Sequence, residues 1–172
     1  SDGLTFNGLL GTYYDQNNTP RAYFTGNTLE RFDSQVNFNW GGGRPAMGFG
    51  TDDFSVIWQG RIEIEQTGDY QFSTLSDDGI RLSVDGNVLI DNFTDHAPRR
   101  DTSASINLQA GEFYEIRMEF YERGGGAVAQ LEWDGPTFIR QVIPAANLSF
   151  ICQPPEPEPC ESGEFETNGL RG

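Results

Sequence analysis

A chain of 172 residues with 26 Asp+Glu against 11 Lys+Arg carries a formal net charge of −15, which excludes nucleic acid and anionic membrane surfaces as main partners because both require a basic face. That length fits one domain plus a linker, and 36% hydrophobic with 13% aromatic residues supplies a packed core, so disorder of the whole chain is excluded. No apolar run reaches the roughly 20 residues of a bilayer-spanning helix, which excludes membrane insertion by that route.

Twenty-one Gly and nine Pro spread among short apolar runs predict many turns and an all-β architecture, an antiparallel barrel or sandwich. A first strand is expected over Phe6 to Tyr14, closed by a turn-like stretch from Asp15 to Pro20. Phe24 to Trp40 carries scattered aromatics without a clean period, and Gly41-Gly42-Gly43-Arg44-Pro45 reads as loop. From Phe54 to Glu65 the residues alternate or run apolar as a half-buried strand does, and Tyr70 to Leu75 repeats the pattern. Ile80 to Val84 and Val88 to Ile90 flank Asp85-Gly86, a tight-hairpin dipeptide. Asp91 to Arg100 reads as a polar loop holding the single histidine, His96. Ile106 to Leu108, Tyr114 to Glu122 and Gln130 to Trp133 are further strands, the last two separated by the nearly bare loop Arg123-Gly124-Gly125-Gly126-Ala127. No helix longer than a turn or two is expected.

Residues 1–150 are expected to form the domain and 151–167 a Pro/Glu-rich linker. Asn168-Gly169-Leu170-Arg171-Gly172 repeats Asn7-Gly8-Leu9-Leu10-Gly11 at all but one position, the expected start of a second tandem copy. With Ser1 opening the chain and no signal-like segment, it reads as a piece of a longer exported protein, where salt and divalent cations screen its carboxylates. The two cysteines, Cys152 and Cys160, flank a Pro-rich segment. A disulfide between them suits an oxidising compartment. As polyproline II the intervening chain would span about 25 Å, against roughly 5.5–6 Å for disulfide-linked Cα atoms. Either the segment bends sharply or each cysteine pairs elsewhere.

The candidate chemical centre is Ser76-Asp77-Asp78-Gly79, between two strand patterns. Neighbouring side chains of a regular strand point to opposite faces, so Asp77 and Asp78 can share a ligand only where the backbone leaves strand geometry. Gly79 permits such a departure. Side by side, the two carboxylates make a hard oxygen site suited to Ca2+; a solvated Asp-Gly turn is the competing reading. Backbone carbonyls of Gly124, Gly125 and Gly126 are available as further ligands, and sugar hydroxyls would fill the remaining positions. Asp52-Asp53 reads instead as a solvated strand entrance, His96 as a hydrogen-bonded structural histidine, and Trp58 and Trp133 as core. One histidine, no plausible cysteine nucleophile and no Gly-x-Ser-x-Gly elbow leave no usual nucleophile and base pair, so no enzyme is expected.

Taken in order, Gly8 to Tyr14, Phe54-Ser55-Val56-Ile57-Trp58-Gln59-Gly60, Gly68-Asp69-Tyr70-Gln71-Phe72, Ser76 to Leu82, Val84-Asp85-Gly86 and Tyr121 to Ala127 resemble the PA14 domain family, named after a segment of anthrax protective antigen and found in yeast flocculins, bacterial adhesins and some glycosidases. The resemblance covers about Gly8 to Leu148. It implies an antiparallel β-barrel or sandwich in which Asp77 and Asp78, joined by a cis peptide, hold one calcium ion, with the Arg123 to Ala127 loop supplying further ligands and tuning sugar choice. That loop departs from the flocculin pattern by offering no Asn or Asp, so carbonyls would serve and the sugar preference does not carry over. The expectation is a calcium-dependent carbohydrate-binding module of an extracellular or cell-surface adhesin, Arg123 and His96 lining its pocket. The alternatives are a non-catalytic module of an extracellular glycoside hydrolase and a structural or protein-interaction spacer.

Overall fold

The computed structural model describes residues 3–153. Its strands form two layered antiparallel sheets, and among the described residues the one helical element is a 3-10 turn at Ala145–Asn147. The sheets do not close on each other, so the sandwich form of the all-β expectation holds and the barrel form does not.

The first sheet is built on β5 (Phe54–Glu63) and β11 (Phe113–Glu122), which pair along their whole length from Phe113 opposite Glu63 to Glu122 opposite Phe54. On the far side of β11 lies β7 (Ile80–Val84), followed by β8 (Asn87–Asn92). The far edge of β5 is shared by β2 (Leu9–Asp15) and β14 (Leu148–Cys152), which in turn carry β3 (Asn27–Asp33) and β1 (Leu4–Asn7). The second sheet is built on β6 (Gly68–Asp77) and β12 (Ala127–Gly135). β9 (Arg99–Thr102) and β10 (Ile106–Leu108) share the outer edge of β6, while β4 (Asn37–Gly41) and β13 (Phe138–Val142) share that of β12.

Period-two burial explains why these segments are strands. In β11, Ile116, Met118 and Phe120 are buried while Glu115, Arg117 and Glu119 face outward; in β7, Ile80, Leu82 and Val84 are buried. Phe54, Val56, Trp58 and Ile62 of β5 meet Phe72, Leu131 and Trp133 of the second sheet in one core. The elements that lack apolar alternation are edge strands. Six of the seven residues of β3 are partly or fully exposed, and β9 is the polar Arg99-Arg100-Asp101-Thr102 inside what reads as a loop in sequence. The expected first strand divides into β1 and β2 at Gly8, whose φ of 90° lies in the left-handed region and whose Cβ would meet the Asp33 carbonyl oxygen at 2.3 Å. Cys152 ends β14 and is disulfide-bonded. The first two residues of the expected linker, Ile151 and Cys152, thus belong to the last strand, whereas the linker from residue 154 on, Cys160 and the expected second copy lie outside the described residues.

A buried polar knot joins the edge of the first sheet to its centre. Asp33 accepts hydrogen bonds from the Tyr13 hydroxyl, from Trp58 Nε1 at 2.8 Å and from Arg31 Nε at 2.8 Å. The Arg31 guanidinium also lies 4.2 Å from the Tyr13 ring centroid. Burial, followed by the Asp33 charge, pushes the Tyr13 hydroxyl well above its ordinary pKa, so it stays a donor. Asp33→Ala leaves two buried donors without an acceptor, and unfolding free energy is expected to fall by about 3 kcal/mol, read by urea denaturation; Leu29→Ala on the exposed part of the same strand should change it by about 0.5 kcal/mol or less.

Candidate metal and ligand site

Three connections converge at one end of the sandwich. Because β5 and β11 are antiparallel with Glu122 opposite Phe54, the end of β11 and the entrance to β5 lie together, and Asp52-Asp53 immediately precedes that entrance. The segment from β6 to β7 crosses here from the second sheet to the first, carrying Asp77 and Asp78; Arg123 to Gly126 crosses back from β11 to β12. The register then fixes the neighbours. Ile80 pairs with Phe120, the Asp78 amide donates to the Tyr121 carbonyl at 3.2 Å, and the Tyr121 amide donates to the Gly79 carbonyl at 3.0 Å.

The departure from strand geometry at this crossing is a cis peptide between Asp77 and Asp78. Gly79 serves a different purpose from the one its sequence context implies. Its φ is not among the left-handed values of the described chain; a Cβ there would sit 2.1 Å from Cε1 of Tyr121, so the absence of a side chain is what lets the tyrosine ring lie against the turn.

Carboxylate oxygens of Asp77, Asp78 and Glu122 lie within 4.8 Å of one another. Asp78 is oriented from both sides, its Oδ1 accepting the main-chain amide of His96 and its Oδ2 that of Arg123, each at 3.0 Å. Glu122 is fully buried, and neither of its oxygens has a hydrogen-bond partner. Burial first, then the charges of Asp78, Asp77 and Asp52, push its pKa up to about 9. The Gly124 amide acts in the opposite sense without reaching hydrogen-bond geometry. Asp77 is also raised, by burial and then by the Asp78 charge. Packed like charges without counter-charge take up protons in this way, and the same oxygens form the hard donor set that calcium takes. The residues therefore fit a divalent cation.

Above the cluster opens a cleft of about 420 Å³ lined by Pro20, Asp53, Asp78, Asp95, Arg123 and Gly124. Asp95 braces its rim, accepting from the Tyr121 hydroxyl at 2.6 Å, Arg21 at 2.9 Å and Arg123 at 3.3 Å. The Tyr121 hydrogen bond and the two guanidinium charges hold its carboxyl below the usual range. Tyr23 stacks on Tyr121 with ring centroids 4.2 Å apart, and Phe93 meets the same ring edge-on at 4.8 Å.

Each sequence-derived site residue has a definite place here. Asp77 and Asp78 are in the cluster; Arg123 and Gly124 line the cleft; Gly125, with φ 99°, donates its amide to Asp52 Oδ1 at 3.2 Å; Gly126 is the exposed residue that leads into β12. His96 meets the pair through its backbone amide, and its ring Nδ1 lies 2.8 Å from the Ala97 carbonyl oxygen. Asp52-Asp53 is not a solvated strand entrance: Asp53 is 9% exposed with Oδ1 unpartnered, and it lines the cleft. Glu122 was the residue most readily missed. It ends a strand of alternating polar and apolar residues and reads as another outward-facing position, yet burial switches from every second residue to Phe120, Tyr121 and Glu122 in succession.

The PA14 domain model matches residues 6–147. Anti-sigma-I factor RsgI3 of Acetivibrio thermocellus is 37% identical over 144 residues, which are 84% of this chain and 21% of that protein. A solved anti-sigma factor domain-containing protein from Clostridium clariflavum superposes with a TM-score of 0.75 at 30% identity, over 89% of this chain and 49% of that one. The PA14 sugar-binding domain from an RTX adhesin shares the fold, with a TM-score of 0.67 at 17% identity over 84% and 98% of the two chains. This chain thus spans about a fifth of the length of RsgI3 and about half of the clostridial chain. With the family model running from the first strand to the 3-10 turn, the chain belongs to the PA14 domain family.

Proposed function

We propose that this domain binds carbohydrate through a calcium ion held by Asp77, Asp78 and Glu122. The observation that carries the reading is Glu122, a fully buried carboxylate with two unpartnered oxygens, grouped with two further carboxylates at the base of an open cleft. Such a group is costly unless a proton or a cation neutralises it. Calcium fits better than magnesium, which demands a tight octahedron and keeps most of its waters, whereas calcium accepts six to eight oxygens of mixed origin. Carbonyls of the Gly124, Gly125 and Gly126 loop would join the carboxylates.

When bound, the ion supplies coordination positions that vicinal sugar hydroxyls can occupy. The chain's own residues do the rest. The His96 and Arg123 amides keep Asp78 aimed, and Arg123, Asp53 and Asp95 offer donors and acceptors to the remaining hydroxyls at the cleft rim. No step in this reading is catalytic. The sugar-binding domain of the RTX adhesin, with the same fold, supports it, as does the disulfide at Cys152, which suits an exported setting. An adhesin is one such setting. The identities of 37% and 30% to anti-sigma proteins favour a second, in which the same binding module is the sensing part of an anti-sigma protein.

Calorimetric titration with calcium and a glycan array read with and without EDTA test the proposal. Binding of at least one glycan is expected to require calcium, and Asp77→Asn and Glu122→Gln should each lower calcium affinity about 100-fold while circular dichroism stays unchanged. Glycan binding that survives both substitutions at full strength sinks it.

The pH dependence of the calcium-free domain is a separate check. With a folded pKa of about 9 against an ordinary 4.5, Glu122 keeps its proton in the folded state while the unfolded chain has lost it. Its contribution therefore favours folding most below about pH 4.5 and declines as pH rises toward 9. In EDTA the Tm of the native sequence should fall between pH 5 and 8 more steeply than that of Glu122→Gln, and saturating calcium should reduce the difference by displacing the proton.

A further inference from the structure

One acid lining the cleft above the carboxylate cluster is left without a donor. Asp95 accepts from the Tyr121 hydroxyl and from Arg21 and Arg123, and Asp78 accepts two main-chain amides. Asp53 receives nothing: among the described residues no hydrogen bond or ion pair reaches its carboxylate. The guanidinium of Arg123 is turned instead to Asp95, at 3.3 Å. The two acids accordingly shift in opposite directions. The Tyr121 hydrogen bond and the guanidinium charges hold Asp95 low, whereas burial and then the Asp52 charge raise Asp53, with Arg123 offsetting only part of that rise. Oδ1 of Asp53 is enclosed by protein, and the residue still lines the cleft, so Oδ2 is the oxygen it presents there. The backbone fixes that oxygen's place. Asp53 has a φ of 54°, its carbonyl accepts the Gln16 amide at 3.0 Å, and Phe54, the next residue, pairs with both Asp15 and Glu122.

These features select among sugars. A carboxylate oxygen facing a cleft takes a donor, either a hydroxyl or an ammonium, and charge decides between them. Six carboxylates, those of the cluster with Asp52, Asp53 and Asp95, face the two guanidiniums of Arg21 and Arg123, so a bound divalent ion still leaves the site negative. A uronate or sialate brings a further carboxylate and is repelled. An N-acetyl group gives up the positive charge and adds a methyl, for which the lining offers little: among the described residues it has no aromatic ring, and Pro20 is its one apolar side chain. A protonated amino group forms a charge-assisted hydrogen bond, roughly twice as strong as a neutral one. In a 2-amino-2-deoxyhexose it replaces the 2-hydroxyl, so the vicinal 3- and 4-hydroxyls stay free for the ion. We infer that, given the calcium-held sugar proposed above, Asp53 makes the cleft selective for a hexosamine with a free, protonated amino group.

Calorimetric titration of the full 172-residue chain in saturating calcium, at about pH 6.5 where the amino group is protonated, tests the selectivity. D-glucosamine, D-galactosamine and D-mannosamine are compared with D-glucose, D-galactose and D-mannose, and with N-acetyl-D-glucosamine and D-glucuronate. At least one hexosamine is expected to bind about tenfold more tightly than its neutral parent and than the acetylated and acidic forms. Asp53→Asn, whose side chain tolerates the same left-handed backbone, should bring that ratio close to one, with circular dichroism reporting the fold. Calcium-dependent binding of neutral hexoses with no preference for any hexosamine, or a preference that survives Asp53→Asn, overturns the selectivity and leaves the calcium site standing. Absence of binding by all three hexosamines overturns it as well, and the calcium reading is then judged separately, by ion titration of the native and Asp77→Asn proteins.

Discussion

The unbroken pairing of β5 with β11 is the constraint from which the rest of the molecule follows. Ten consecutive positions from Phe113 opposite Glu63 to Glu122 opposite Phe54 leave no freedom to slide, since a one-residue slip would turn Ile116, Met118 and Phe120 to solvent and bury Glu115, Arg117 and Glu119. That register delivers Glu122 to the entrance of β5 beside Asp52 and Asp53. It also sets where β7 joins, because Ile80 must meet Phe120, and so where Asp78 arrives. The carboxylate cluster is thus a joint consequence of strand register, which brings Glu122 and the β6–β7 crossing together, and of the cis peptide that places Asp77 and Asp78 side by side within that crossing.

Three carboxylates grouped in this way are costly unless a proton or a cation neutralises them. Asp78 receives two amides, so its charge is partly compensated within the protein; Glu122 receives none and instead keeps a proton in the ion-free state. The contrast divides the labour. Asp78 is held in place by two main-chain amides, whereas the charge of Glu122 has no such compensation within the protein. Around them, the Asp95 brace joins the Arg21, Tyr121 and Arg123 segments through one carboxylate.

Legibility in the sequence tracked burial. Where one face is apolar and the other wet, as in β5, β7 and β11, alternation located the strands, and the all-β class followed. Where a strand lies at an edge with both faces largely wet, as in β3 and β9, no period exists to be read, and only the ladder to β2 or β6 shows what the segment is. The same logic applies to the site. Asp77-Asp78 was visible because adjacency and a following glycine are local signals. Glu122 and Asp53 were not, because what distinguishes them is long-range: the β11 end must be covered by the crossing from β6, and the turn before β5 must face it. Gly79 shows the difference in small compass. Its presence was legible, but its reason, the Tyr121 ring against the turn, is a contact across more than forty positions of sequence, and nothing local encodes it.

The two ends of the sandwich differ in chemistry. At the cluster end, charge is concentrated and aromatic rings such as Tyr23, Phe93 and Tyr121 stand behind it, packed on one another. At the far end Tyr70, Trp133 and Phe138 pack on one another within the core, and Glu65 lies beside them. A central strand pair links them: β6 carries Tyr70 and Asp77, and β12 carries Trp133 while its Val128 pairs with Asp77. Because β6 and β12 pair from Gln71 to Asp77 and lie over one close-packed core, neither end can shift along the strands without disturbing the ladder. The separation of the two ends is therefore set by strand length, while the crossings and hairpins that surround each are free to differ in side chain, as the glycine-rich Arg123 to Ala127 loop does here.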